Sequence, residues 1–302
     1  MLGEHVTKGV VSVAVSFDDL IVLHREHPVS PERTSPEVAV AYTATVDPVF
    51  TIGPKVHGGA LQTICGHAAV RAFGDSIGDP AARAEAAELL PVVVSTEYLG
   101  APDPAEVTVL ARVGKRGRRV SQVDVEVRQG DRTMVRSAVT LARPDRGEVH
   151  HRRPGAVADM APTPPADAVS VREGPTASLF NLAGVLDVHY DASTVAFLDG
   201  SRGEPTTRFW TRPIGAEPDE WFAMIAADLS VPVVMNLQLY GWAPTLQMTT
   251  YLRRVPAPGW LRVQATTTEV GQGLFDEDHC ILDSTGAVVA QSRQLAMIPT
   301  AV

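Results

Sequence analysis

Two stretches of the chain hold residues whose types and spacing could do chemistry. The first is KVHGGALQTICGHAAVRAFG, residues 55–74, where His57, Gly58 and Gly59 lead straight into a helical pattern. A diglycine before a helix leaves backbone N–H groups bare at the positive end of the helix dipole, where an anion or a polarised carbonyl oxygen can sit. The same pair also serves simply as a tight helix entry. The second is EPDEWFAMIAADLS, residues 217–230, in which Asp228 falls at i+7 from Trp221 and i+3 from Ile225. That spacing puts the carboxylate on the apolar stripe of a predicted helix. Burial and the negative end of that helix's dipole would both raise its pKa, which suits a base or nucleophile near neutral pH. The competing reading is a frayed helix end with Asp228 in water ahead of Pro232. Thr245 opens a strand after Ala243-Pro244, and Gln294 shares a strand face with Val288, Ala290 and Ser292. Neither specifies a reaction by itself.

The elements that must position these groups are legible as periodicities. Leu61, Ile64, Cys65, Ala68 and Ala72 recur at helical spacing, a stripe of mostly small side chains that a curved sheet can wrap closely. Residues 9–23, with Val11, Val13, Val15 and Phe17 alternating, predict a strand, residues 27–37 a proline-punctuated loop, and residues 38–46 a second strand. A short extra helix or a lid is expected over 79–90. Four strands follow, over 92–102, 106–117, 118–129 and 132–143, with Gly117 and Gly130-Asp131 at the hairpins. Later come strands over 193–199 and 206–213, the helix over 217–230, and strands over 245–255, 260–270, 274–282 and 287–298.

The order repeats. Thr96-Glu97-Tyr98-Leu99 lines up with Thr249-Thr250-Tyr251-Leu252 at an offset of 153, and Leu141-Ala142 with Leu295-Ala296 at an offset of 154. A period that long indicates a duplicated domain rather than a solenoid unit. Between the halves, residues 144–175 are rich in proline and charge and lack periodicity, with His150 and His151 expected in solvent. The division predicted is an N-terminal domain over 1–145, a linker over 146–175 and a C-terminal domain over 176–302 that carries the reactive residues.

Composition narrows the function. The net charge of −9 argues against nucleic acid as a partner. No run of about 18 apolar residues is present, so no membrane span is expected. The start, MLGEHVTKGV, lacks a signal-peptide pattern, and the cytoplasm is the expected compartment. The two cysteines, Cys65 and Cys280, have no metal-ligand spacing and are expected to be inert. Neither a metal nor a cofactor is expected.

A long helix wrapped by an antiparallel sheet, with His57-Gly58-Gly59-Ala60-Leu61 at its entrance, resembles the hotdog fold. Two such halves in one chain resemble the double-hotdog acyl-CoA thioesterases of the thioesterase II (TesB-like) family. The second half carries that likeness through Ala227-Asp228-Leu229, Pro244-Thr245-Leu246 and Ser292-Arg293-Gln294. The fold class implied is α+β, a double hotdog. The resemblance implies that Asp228, Thr245 and Gln294 jointly activate water. Two departures stand out: Gln247-Met248 where the family usually has Asp-His, and Leu295-Ala296 where it usually has Glu-Gly. Single-hotdog thioesterases often carry an acid about two and a half turns beyond the histidine; Gly66 stands there, beside His67, which implies one site per chain.

The expected function is hydrolysis of a fatty acyl-CoA to free acid and CoA, with Asp228 as base or nucleophile. His57, Gly58 and Gly59 would bind substrate and oxyanion, although a donor near Gly215 in the second half serves equally. The acyl chain would lie along the apolar helix stripe. Arg116, Arg118, Arg119, Arg253 and Arg254 are candidates for the CoA phosphates. Competing readings are a non-catalytic acyl-CoA or lipid-binding double hotdog, and an enoyl-CoA hydratase or dehydratase, for which Asp228 lacks a nearby histidine in sequence. A homodimer formed through sheet edges is a further expectation.

Overall fold

A computed structural model describes residues 15–26, 39–153, 155–174 and 176–299. In chain order the elements are β1 (His24–Arg25), β2 (Val40–Thr45), β3 (Thr51–Ile52), β4 (Lys55–Val56), α1 (Gly58–Asp75), α2 (Pro80–Ala86) and β5 (Leu90–Tyr98). There follow β6 (Glu106–Lys115), β7 (Ser121–Gln129), β8 (Arg132–Ala142), β9 (Val169–Ser170), β10 (Leu186–Tyr190), β11 (Thr206–Pro213) and α3 (Glu220–Ala226). The last four are β12 (Thr245–Leu252), β13 (Leu261–Thr266), β14 (Leu274–Leu282) and β15 (Val288–Met297).

Among the described residues thirteen strands form one antiparallel sheet, ordered β1-β2-β6-β7-β8-β5-β12-β15-β14-β13-β11-β10-β9. Read outward from the central β5–β12 pair, the two sides repeat. The series β5, β8, β7, β6, β2, β1 on one side matches β12, β15, β14, β13, β11, β10 on the other. The duplication is therefore visible in topology. At residue level the sequence alignment slips by one. Tyr98 turns inward and donates to the Gly58 carbonyl at 3.0 Å, whereas Tyr251, its sequence match, is 44% exposed on the outer face. Leu141 is buried and its match Leu295 exposed. In a strand an offset wrong by one residue exchanges the faces.

The buried stripe of α1 is as expected: Leu61, Ile64, Cys65, Ala68 and Ala72 are all covered, and α1 packs against β5 to β8 and against α3. Gly66 lies at the helix crossing. A Cβ there would stand 2.9 Å from Met224 Cε and 3.2 Å from Pro91 Cγ, so a side chain at the place where the resemblance puts a single hotdog's acid would have to displace Met224.

Several expected elements differ. Residues 9–14 and the loop over 27–37 lie outside the described residues. Residues Phe17–Ile21 form a 3₁₀ turn rather than the end of a strand. Asp19 accepts from both the backbone and the hydroxyl of Ser16, and buried Phe17 meets Phe222 edge-on at 5.2 Å. The strand predicted over 193–199 is two 3₁₀ turns, Ala192–Thr194 and Ala196–Leu198. Buried Asn236 takes the backbone groups a sheet would have used, accepting from Phe197 N–H and donating to the Thr194 carbonyl. The strand β10 escaped the sequence reading. The segment between the halves is not featureless: Val157 and Met160 are buried with Trp210 and Leu282. The sheet's end strands, β1 and β9, are two residues long, which offers an edge-to-edge partner little ladder to join.

Candidate active site

Helix α3 begins with Asp219, whose carboxylate accepts from Phe222 N–H at 2.8 Å, and it ends at Ala226, four residues short of the sequence expectation. Tertiary hydrogen bonds stop it. The Ala227 carbonyl, which a longer helix would bond to residue 231, accepts instead from Ser292 Oγ at 2.6 Å. Asp228 therefore sits in a turn beyond the helix, its N–H donating to the Ile225 carbonyl at 3.0 Å.

The carboxylate faces the entrance of α1. Gly59 N–H donates to Asp228 Oδ2 at 2.6 Å. His57 caps the same helix: its Nδ1 accepts from Ala60 N–H at 3.3 Å, so Nε2 carries the proton and donates to the Asp228 carbonyl oxygen at 2.9 Å. That nitrogen stands 3.5 Å from Oδ2. The two predicted stretches thus meet, although 169 residues separate Gly59 from Asp228. Both glycines are required for the approach. A Cβ on Gly58 would come within 2.9 Å of Asp228 Oδ2, and one on Gly59 within 2.9 Å of Asp228 Cβ and 3.0 Å of His57 Cε1.

The side chain of Asp228 is only 11% exposed. Burial raises its pKa above the ordinary 3.8, while His57, His279 and the Gly59 N–H pull the other way. The direction matches the sequence expectation but the electrostatic setting differs. Asp228 faces the positive N-terminus of α1, which favours its charged form, so the dipole opposes the shift.

Thr245 and Gln294 are brought together: Thr245 Oγ1 donates to Gln294 Oε1 at 2.6 Å. A β-bulge makes this pairing. The register between β12 and β15 shifts between Thr245 and Gln247, so Thr245 lies opposite buried Ala296 and joins the inner face. Gln294, 8% exposed, follows Ser292 on that face, about 7 Å along the strand. Ser292 holds Ala227, so the pair and Asp228 are linked through one residue rather than by a direct hydrogen bond.

The remaining candidates fare differently. Gly215 lies in an exposed turn after β11, away from these contacts. Arg253 pairs with Asp145 at 2.9 Å and Arg254 donates to the Gly147 carbonyl. Arg116 lies over the Phe73 ring, about 22 Å along α1 from Gly58 at 1.5 Å per residue. His67 stacks edge-on against Trp221 at 5.0 Å, and burial with nearby Arg71 lowers its pKa to about 4. Both cysteines are free; burial pushes the Cys65 thiol up to about 12. A cleft of about 690 Å³ lies on the other face of the sheet, among Tyr251, Arg253, Gln264, Gln291 and Arg293. Among the described residues no group of three or more His, Cys, Asp and Glu is placed to hold a metal, and no helix is long and apolar enough to cross a membrane.

Sequence reasoning missed Tyr98, Ser230, Glu277 and His279, all of which lie at or behind this site. A signal existed in β14, where Phe275, Glu277, His279 and Ile281 share one phase. Asp276 and Asp278 in the other phase hid which face was buried.

Two family models match in tandem, an acyl-CoA thioesterase N-terminal domain over residues 45–142 and an acyl-CoA thioesterase C-terminal domain over 154–298. The chain belongs to the acyl-CoA thioesterase family that these two models describe. Uncharacterized proteins of Mycobacterium bovis and Mycobacterium tuberculosis are each 42% identical over 269 residues, covering 83% of this chain and 88% of theirs. Among solved structures, a candidate thioesterase II of Thermobifida fusca is similar with a TM-score of 0.75 and 26% identity, over 94% of this chain and 97% of that one. A hotdog-fold protein of unknown function from Alicyclobacillus acidocaldarius matches with a TM-score of 0.70 at 19% identity, over 96% of this chain and 100% of that one. The fold of this family member is accordingly the tandem hotdog, in the α+β class.

Proposed function

We propose that this family member hydrolyses a fatty acyl-CoA to free acid and CoA. The observation that carries the reading is the Asp228 carboxylate, buried and held 2.6 Å from Gly59 N–H at the entrance of α1. In the proposed step a water held by Thr245 and Gln294 attacks the thioester carbonyl carbon while Asp228 takes its proton. The C–S bond then breaks, and the proton passes from Asp228 to the departing CoA sulfur. Gly59 N–H is engaged by Asp228, and Ala60 and Leu61 N–H by His57. The N–H of half-buried Gly58 therefore remains as the proposed oxyanion donor, with Tyr98 holding the next peptide through the Gly58 carbonyl. The proposed division of labour follows the domains expected at 1–145 and 176–302. We place the reaction in cytoplasmic lipid metabolism.

Release of free thiol from short, long and branched acyl-CoAs, with wild type and Asp228→Asn side by side, tests the reading. Turnover lost in the variant supports it. Saturable acyl-CoA binding with no turnover across the panel would replace it with a binding protein. In single turnover in ¹⁸O water, label recovered in Asp228 would establish an anhydride intermediate opened at the aspartyl carbon.

A further inference from the structure

Strand β14 carries two ionisable side chains that the proposed hydrolysis does not use. Glu277 and His279 point inward, 1% and 0% exposed, with Oε1 3.2 Å from Nε2. Ser230 Oγ bonds to Glu277 Oε1 and lies 2.8 Å from His279 Nε2, and Val233 N–H donates to Oε2 at 3.3 Å. On the far side of the ring, Nδ1 is 3.0 Å from Ser292 Oγ, which reaches the Ala227 carbonyl at 2.6 Å.

The directions of these bonds follow from groups that act only one way. A carbonyl accepts, so Ser292 spends its proton on Ala227, and His279 Nδ1 must donate to Ser292. Ser230 has one proton to place between the carboxyl group and Nε2. Two arrangements satisfy both contacts: Nε2–H donates to Ser230, which donates to the carboxylate, or the carboxylic acid donates to Ser230, which donates to bare Nε2. Both arrangements hold the same protons and differ by one transfer along Glu277–Ser230–His279. The network is neutral in each.

Its two serine contacts straddle Asp228, one at Ala227 and one at Ser230. We propose that Ser230, Glu277, His279 and Ser292 form a buried one-proton network that clamps the Ala227–Ser230 turn and so aims the Asp228 carboxylate at the entrance of α1. The four are positioning residues, and the proposal rests on Asp228 being the catalytic base. The ionisable group facing the network is Asp228 from the turn, while β13 presents Ala265 opposite His279, and β15 presents Ser292 opposite His279 and Gln294 opposite Glu277. Asp278 alternates to the other face, toward Arg293 at 3.5 Å. Neutrality matters here because Glu277 and His279 act on Asp228 with opposite signs. A lone buried glutamate behind Asp228 would hinder its ionisation.

Ser292→Ala removes the hydroxyl and Ser292→Thr keeps it. Expected for Ser292→Ala and Glu277→Gln is a fall in kcat of about tenfold or more with KM nearly unchanged, and recovery in Ser292→Thr. In an Asp228→Asn background the same changes should add nothing, because they act through Asp228. Two readouts stand apart from turnover. Nitrogen NMR of histidine-labelled protein should show the proton on His279 Nδ1 that its bond to Ser292 requires, and amide exchange over residues 227–230 should quicken in Ser292→Ala. An unprotonated Nδ1, unchanged exchange, or a full further loss in the Asp228→Asn background would overturn the proposal. A wild type without turnover would remove the thioesterase reading alone, leaving Nδ1 and the exchange rates to decide the clamp.

Discussion

The two halves place the same strands around different helices, and the contrast shows how a duplicated fold comes to hold one candidate site. In the first half α1 runs for 18 residues with a glycine entrance, and behind it lies a polar cluster that does not titrate. Gln62 Nε2 donates to the Val94 and Met248 carbonyls and to Thr96 Oγ1, and Thr96 meets Ser137 at 2.9 Å. In the second half α3 has seven residues and bulky neighbours, and its sheet carries Glu277 and His279 on the inner face. One half offers donors at a helix N-terminus; the other offers the carboxylate and the groups that hold it. The helices cross where Gly66 yields its space to Met224.

That contrast can be broken in order of effect. Asp228→Asn should lower hydrolysis by about 10²–10⁴-fold, the usual worth of a general base, while acyl-CoA binding persists. Gly59→Ala should reproduce much of that loss, since its Cβ would displace Asp228; steady-state kinetics of thiol release check both. Gly66→Asp, an attempt to give the first half an acid, should destabilise the chain by roughly 3–5 kcal/mol in denaturant titration, because a lone charge would be buried against Met224. Gln62→Met should cost about 1–3 kcal/mol by unsealing the β5–β12 junction, with little dependence on pH.

The smallest effect has a definite sign. Burial raises the Asp228 pKa above 3.8, so its ionisation opposes folding: this stability is whole below the unfolded value and is lost as pH rises through the folded one. Asp228→Asn should therefore melt higher than wild type at neutral pH, with the gain shrinking as pH falls toward 4. In wild type the acid limb of kcat/KM should have its midpoint above 3.8. A midpoint at or below that value would contradict the burial of the base.

Much of the fold was legible because periodicity reports which face is buried. The α1 stripe, β11 and β14 fall where the pattern puts them, and Asp228 stood out as a carboxylate in apolar company. Elsewhere the pattern was overruled by hydrogen bonds from distant residues. Residues 193–199 look like a strand but are turned by Asn236. The α3 helix looks four residues longer than it is because Ser292 and His57 take up the Ala227 and Asp228 carbonyls that its next turn would use.

The sequence by itself determined the family likeness, the two-part architecture and the residue types of the candidate site: His57, Gly58, Gly59, Asp228, Thr245 and Gln294. Tertiary structure alone decided how they meet. It put Asp228 against the positive end of the other half's helix, turned Thr245 inward through a bulge, and assembled Ser230, Glu277, His279 and Ser292 behind the turn. The reason is geometric. Local pattern records which side of an element is dry, but a single-residue register shift or a hydrogen bond from 169 residues away leaves no periodic trace in the chain.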